Sequence, residues 1–209
     1  MNSADAATKT DSQAVIGLFA CCSLAAMTRL AKDGDQAPTT QAHVDLATLA
    51  AAGYDRFTDF GGYAAANGFS IVDAAGQFAG LFDELDQRTR PSNWWERCVK
   101  SYVVFSVFGD VLEELSKLHG LFKGAFSVWD LGQGEWVRKN LTPLTQADSQ
   151  LAARLSLWAR RVGGEALGLA RATLFTYPEL SVDAETADAI MERATRRYGE
   201  RMKEINLKP

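Results

Sequence analysis

The sequence predicts an all-α fold of six or seven helices in one domain, and three observations carry that reading. Apolar residues recur at three- and four-residue intervals through most of the 209 residues, and nothing alternates like a strand for more than a few positions. The five prolines fall mostly between the periodic runs, which leaves long stretches free for helices. The stretch Pro91–His119 is apolar on nearly every face from Cys98 to Leu112, with Asp110 the exception. A helix apolar all round is a core helix or a membrane span. This run of about fifteen residues is shorter than the twenty or so that a span needs, and Arg97, Lys100, Glu113 and Glu114 stand at its ends. It reads as the central helix of a bundle, with the Asp110 carboxylate lodged inside.

Residues 1–12 are small and polar and predict a disordered tail. Ser12 then serves as N-cap for a helix over about 13–32, whose stripe is Val15, Leu18/Phe19, Cys22, Ala26 and Leu30, with Ser23 beside it. A second helix runs from about Thr40 to Ala66 and stops at Asn67-Gly68. Its stripe of Leu46, Leu49, Gly53, Phe57, Phe60 and Ala64 turns Gly53 inward, with Arg56 one turn on. Glycine there costs about 1 kcal/mol of helix propensity relative to alanine, so either close helix approach or a lost side chain must account for it.

Residues 70–88 predict one shorter helix with Phe78, Leu81, Phe82 and Leu85 inward, and Pro91-Ser92 starts the central helix. A segment over about 121–140 places Asp130 and Gln133 three apart on its inner side, with Gly132 and Gly134 predicting a kink. Pro143 and Asp148 precede a helix over about 147–176, whose seam of Leu151, Leu155, Trp158, Val162 and Leu169 includes Glu165/Ala166. The last helix, about 183–205, interleaves Arg193, Arg196, Arg197 and Arg201 with glutamates, the pattern of a solvated face laced by i,i+4 pairs.

Composition narrows the function. Apolar content of 47% and charged content of 23% describe an ordinary globule, and a net charge of −4 gives no global pull toward nucleic acid or an anionic membrane. Any RNA contact needs a local basic patch. Cys21, Cys22 and Cys98 form no CxxC and read as buried thiols of a reducing compartment. Leu18-Phe19-Ala20-Cys21 superficially matches a lipoprotein cleavage box, yet the apolar run before it is short and the leader is not basic. The expected location is the cytoplasm, with no membrane partner.

Helical bundles build di-metal sites from inward carboxylates and Glu-x-x-His pairs, because i,i+3 spacing sets both side chains on one face. This chain has two histidines; Thr40 precedes His43 by three and Ser116 precedes His119 by three, so no such pair exists. There is also no phosphate loop, no G-x-S-x-G elbow and no zinc spacing. Asp110, Asp130 and Glu165 are inward acids on three segments, able to gather round one metal or to pair with Arg56 or Arg160/Arg161. A buried acid is rarely left unpaired, which favours an internal salt-bridge network.

The blocks PSNWWERCVKSYV (91–103), RLSLWARRVGGEAL (154–167) and ATRRYGERM (194–202) together resemble an actinobacterial ferritin-like family related to the hydroxylase of the 2-methylthio-isopentenyl-adenosine base of tRNA. The likeness spans about 14–204 and implies a ferritin-like four-helix bundle with extra helices, one domain over 13–205. It also implies a di-iron ligand set that this chain largely lacks. Ser23 stands where the family's first helix offers a glutamate, and Gly53 and Arg56 stand where its second offers Glu-x-x-His. Phe105 fills a position often acidic, leaving Asp110 as the central helix's candidate, and Asp130 with Gln133 looks like the remnant of an acid and a histidine.

The expectation that follows is a non-catalytic relative with no cofactor, in which Arg56 pairs with Asp130 or Asp110 in place of a metal. It would act as a binding or scaffold module. Arg193, Arg196, Arg197 and Arg201 form the candidate patch for tRNA or a protein partner, and Trp94, Trp95, Trp129 and Trp136 are candidates for a homodimer interface. The alternative is a di-iron, oxygen-dependent tRNA hydroxylase-like monooxygenase with a carboxylate-rich site at Asp110, Asp130 and Glu165.

Overall fold

In the computed structural model, residues 3–122, 131–180 and 182–209 are described; they form eight α-helices and a short 3-10 turn, with no strand among them. The helices are α1 (Ser3–Asp35), α2 (Thr40–Ala66), α3 (Ile71–Gly76), α4 (Asp83–Arg88), α5 (Trp94–Leu118), α6 (Gln133–Ala147), α7 (Ser149–Thr176) and α8 (Ala184–Glu204). α5 is the axis: α1 and α7 pack on it from two sides, α8 covers α5 and α7, and α2 packs chiefly on α1. The stripes read from the sequence face this core, with Val15, Leu18, Phe19, Cys22, Ala26 and Leu30 of α1 all buried. All three cysteines are free, as expected for buried thiols.

Helix starts follow local chemistry. Thr39 Oγ1 accepts from Ala42 N at 3.2 Å, Asp148 Oδ1 from Gln150 N and Leu151 N at 2.9 Å, and Asp183 Oδ1 from Thr186 N at 2.7 Å. At α5 the cap is Asn93 rather than Pro91-Ser92: its Oδ1 accepts from Glu96 N at 3.0 Å while Glu96 Oε2 accepts from Ser92 N at 2.7 Å. Gly68 ends the α2 region at φ +74°, as Asn67-Gly68 predicts.

Three expectations need correction. The tail over 1–12 is helical from Ser3, because alanines and Lys9 carry no breaker and let α1 extend past Ser12. The single helix over 70–88 is two, α3 and α4, separated around Gly80 at φ +75°. The helix over 121–140 is not one element either. Gly132, at φ +82°, marks the start of α6, which runs through Pro143 to Ala147; the proline costs the helix one backbone bond without stopping it.

Among the described residues, the helix long and apolar enough to cross a membrane is within α1, over Ser12–Asp35, rather than α5. Of its most apolar window, 61% is buried against the bundle, as a core helix requires.

Candidate functional site

Asp110, the acid inside α5, is 3% exposed and fully engaged by α8. Arg201 grips both its oxygens, Nη1 to Oδ2 and Nη2 to Oδ1, each at 2.5 Å, and Arg197 Nη1 donates to Oδ1 at 3.0 Å. Arg197 also reaches Glu113 at 2.9 Å, and Arg193 reaches Glu114 at 3.2 Å. Burial alone would lower the Arg201 pKa, but its bonds to Asp110 outweigh that and raise it, so the guanidinium stays charged. Arg196 faces Glu200 at 4.0 Å on α8 itself. The four arginines expected to form a free patch each have a carboxylate partner, and three of them tie α8 to α5.

The positions expected to stand in place of ligands each have a local environment that accounts for the residue present. Ser23 is buried and donates to Phe19 O at 2.9 Å within its own helix. Gly53 sits where α1 and α2 come closest: a β-carbon there would stand 3.1 Å from Met27 N and 3.3 Å from Ser23 O. Close approach of the two helices is sufficient reason for a glycine here. Arg56 is not turned into the core; its side chain is 32% exposed and its partner is Asp59 at 3.5 Å. Asp110 is held by other arginines, and Asp130 lies outside the described residues.

Gln133 is buried at the start of α6, and its Oε1 has no hydrogen-bond partner among the described residues. It lines a small cavity of about 10 Å³ with Leu30, Asp33, Cys98, Ser101, Tyr102 and Trp136 among its neighbours. That is room for about one water molecule. Asp33 is 4% exposed; its Oδ2 accepts from Ser101 Oγ at 2.5 Å and Arg97 Nη1 lies 3.5 Å from Oδ1. Burial pushes its carboxyl up to about 6, against the pull of Ser101 and Arg97.

A second charged cluster joins α1, α4 and α5. Asp86 Oδ2 meets Arg29 Nη2 at 2.5 Å, and its Oδ1 lies 2.8 Å from Lys100 Nζ, which also donates to Thr89 O at 2.8 Å. The Arg29 guanidinium lies 4.8 Å from the Phe82 ring centre and 5.6 Å from that of Phe105. Phe105 thus serves as a platform for a cation. Sequence reasoning missed Asp33 and this triad. Asp33 continues the α1 stripe three residues after Leu30, and Lys100 lies inside the apolar helix rather than at its flank.

With this architecture in view, the family model of a ferritin-like domain of actinomycetes matches residues 9–182. The chain belongs to this family. No curated protein sequence matches it.

Within this ferritin-like bundle Glu165 is not among the partners of the Asp110 cluster, and Asp130 lies outside the described residues. Glu165 on α7 is one-third exposed and lies 3.4 Å from Arg88 Nη1, whose other partner is Glu84. His119 Nε2 pairs with Leu180 O at 2.9 Å and His43 is exposed. Among the described residues no three His, Cys, Asp or Glu side chains stand close enough to hold a metal ion. A di-iron centre needs several inward carboxylates and imidazoles free to ligate; the donors here are paired with arginine, turned outward or replaced. The residues described do not fit that group. Trp94, Trp95 and Trp136 are partly buried and pack together at 4.7 and 5.7 Å against the core, with Trp94 Nε1 on Asp33 O and Trp136 Nε1 on Asp45; Trp129 lies outside the described residues.

Proposed function

We propose that the chain is a ferritin-like protein that has exchanged the family's di-iron chemistry for internal ion pairs and works as a cytoplasmic binding or scaffold module. The observation that supports this most directly is the double grip of Arg201 on Asp110, reinforced by Arg197. A carboxylate held by two guanidinium groups has no lone pair in a position to take a metal without first losing a buried ion pair. The missing Glu-x-x-His pairs support the same reading from sequence alone. On this reading the chain is a relative of the tRNA hydroxylase in descent and not in activity.

Arg193, Arg197 and Arg201 are employed in holding α8 to α5, which moves the expected partner from tRNA toward protein. The test is direct. Protein loaded anaerobically with iron is mixed with tRNA carrying the 2-methylthio-isopentenyl-adenosine base, a reductant and O₂, and the nucleosides are analysed by mass. No oxygenated base is the expected result; transfer of an oxygen atom to that base would restore the monooxygenase.

A further inference from the structure

The outer face of α7 is built differently from that of α8. Leu157, Arg161, Gly164, Gly168, Arg171 and Phe175 follow one another at three- and four-residue spacing, and all six are exposed. Leu157 is 63% exposed and Phe175 50%, large apolar groups left in water at the two ends of the row. Between them, no neighbouring atom lies within 4 Å of where a β-carbon of Gly164 or Gly168 would stand. Gly163 beside them is explained by the Tyr198 ring, 2.6 Å from its β-carbon position. The outer two glycines weaken the helix by about 1 kcal/mol each, and no contact inside the chain requires them.

Charge completes the pattern. α7 carries four arginines against one glutamate. Among the described residues Arg154 and Arg160 have no carboxylate partner, Arg161 donates to Arg88 O at 2.6 Å, and Arg171 pairs with Asp188 at 2.8 Å. The face is therefore basic, lined with apolar anchors at its ends, and narrow in the middle.

The complementary face is on the same chain. α2 packs chiefly on α1, and its opposite side exposes Val44, Ala47, Ala51, Tyr54 and Thr58 at the same three- and four-residue spacing. Val44 and Tyr54 are each 53% exposed, and the residues between them are small. α2 carries three aspartates against one arginine, and exposed Asp55 has no partner among the described residues. The two helices are 27 and 28 residues long, about 40 Å each.

We propose that the protein assembles with further copies of itself, the outer face of α7 on one copy seating against the outer face of α2 on the next. This names the partner in the scaffold reading above and rests on it. Because the two faces differ, the contact is head-to-tail and continues beyond a dimer, into a ring or a filament. Gly164 and Gly168 give room for the small residues of α2 at the crossing, Leu157 and Phe175 gain cover, and Arg161 faces the acidic side of α2. A seam between single helices lies at the small end of stable interfaces, about 600 Å² per partner, so association belongs at tens of micromolar.

The test is sedimentation of the full chain from about 1 to 200 μM at low salt, with Arg161→Glu, Asp55→Arg, the double variant and Gly164→Leu; these positions are exposed, and far-UV circular dichroism confirms each fold. The wild type is expected to pass the mass of a dimer as concentration rises. Each single charge reversal should weaken association about tenfold, and the double variant should recover it. Gly164→Leu should leave a monomer. A wild-type monomer throughout, or a double variant no better than the singles, overturns the proposal. So does a monomer that binds a transcribed tRNA probe and loses it on Arg161→Glu, which would give the face to nucleic acid. Assembly by a chain that also binds iron would remove the proposed function and leave this interface standing; a metal-free monomer would do the reverse.

Discussion

Arg201 holds Asp110 by both guanidinium nitrogens at 2.5 Å, and this pair joins the last helix to the central one. Because Asp110 is buried and also bonded to Arg197, its loss strands Arg201 beside an apolar helix and leaves Arg197 with Glu113 alone. Asp110→Ala is expected to destabilise the fold by about 3 kcal/mol, read as a shift of the urea midpoint. Reversing Arg197 and Arg201 should unfold the protein at lower urea as well. A change of tRNA binding without a change of stability would contradict the pairing.

The glycines give a sharper contrast. Gly53→Ala adds a methyl 3.1 Å from Met27 N, where the contact is backbone and cannot rotate away. Destabilisation of about 1–2 kcal/mol is expected despite the better helix propensity. Gly164→Ala meets nothing within 4 Å and should stabilise the dilute monomer by up to about 1 kcal/mol. If both substitutions stabilise, Gly53 is not a packing residue and the lost-ligand explanation returns.

Asp33 predicts a pH dependence. Its carboxyl is raised to about 6 by burial, so the folded state binds this proton more tightly than the unfolded chain does. The resulting stability is present in full below about pH 4 and is lost as pH rises through about 6. At pH 7.5, Asp33→Asn should therefore be more stable than the wild type by about 2 kcal/mol, with the gap closing toward pH 4. A gap that stays constant from pH 4 to 8 would remove the buried, titrating Asp33 from the account.

Asp86 has the opposite sign. Burial would raise its pKa, but Lys100 and Arg29 outweigh that and lower it. Its contribution is present above about pH 4 and lost as pH falls through the lowered folded value. Asp86→Asn leaves Arg29 and Lys100 without their shared anion and should cost about 2 kcal/mol at neutral pH, discounted for the partial exposure of Asp86. Lys100→Met in that background should recover part of the loss. Independent, additive effects in the double-mutant cycle would deny the triad.

The fold was legible because burial in a helix leaves a period, and the stripes of α1, α2, α5 and α7 carry it plainly. What failed was local. Gly80 and Gly132 adopt positive φ and cut segments that apolar spacing alone joins, while Pro143 is tolerated inside α6. The site was less legible for a different reason. Spacing tells which side of a helix Asp110 faces and not which arginine reaches it, so Arg56 was chosen on helix phase where Arg197 and Arg201 come from α8. At Gly53 the sequence leaves close helix approach and a lost side chain open, and the backbone of α1 beside it supplies the close approach. Asp33, Arg29 and Lys100 were passed over because charged residues near helix ends usually face water, and here they face the core.

The central claim is that this ferritin-like interior no longer takes a metal. The measurement that tests it most directly is the iron, manganese and zinc content per chain, in protein purified without chelators and again after anaerobic iron loading. The account predicts values near zero in both. About two equivalents per chain, with an absorption band that changes on exposure to oxygen, would contradict it.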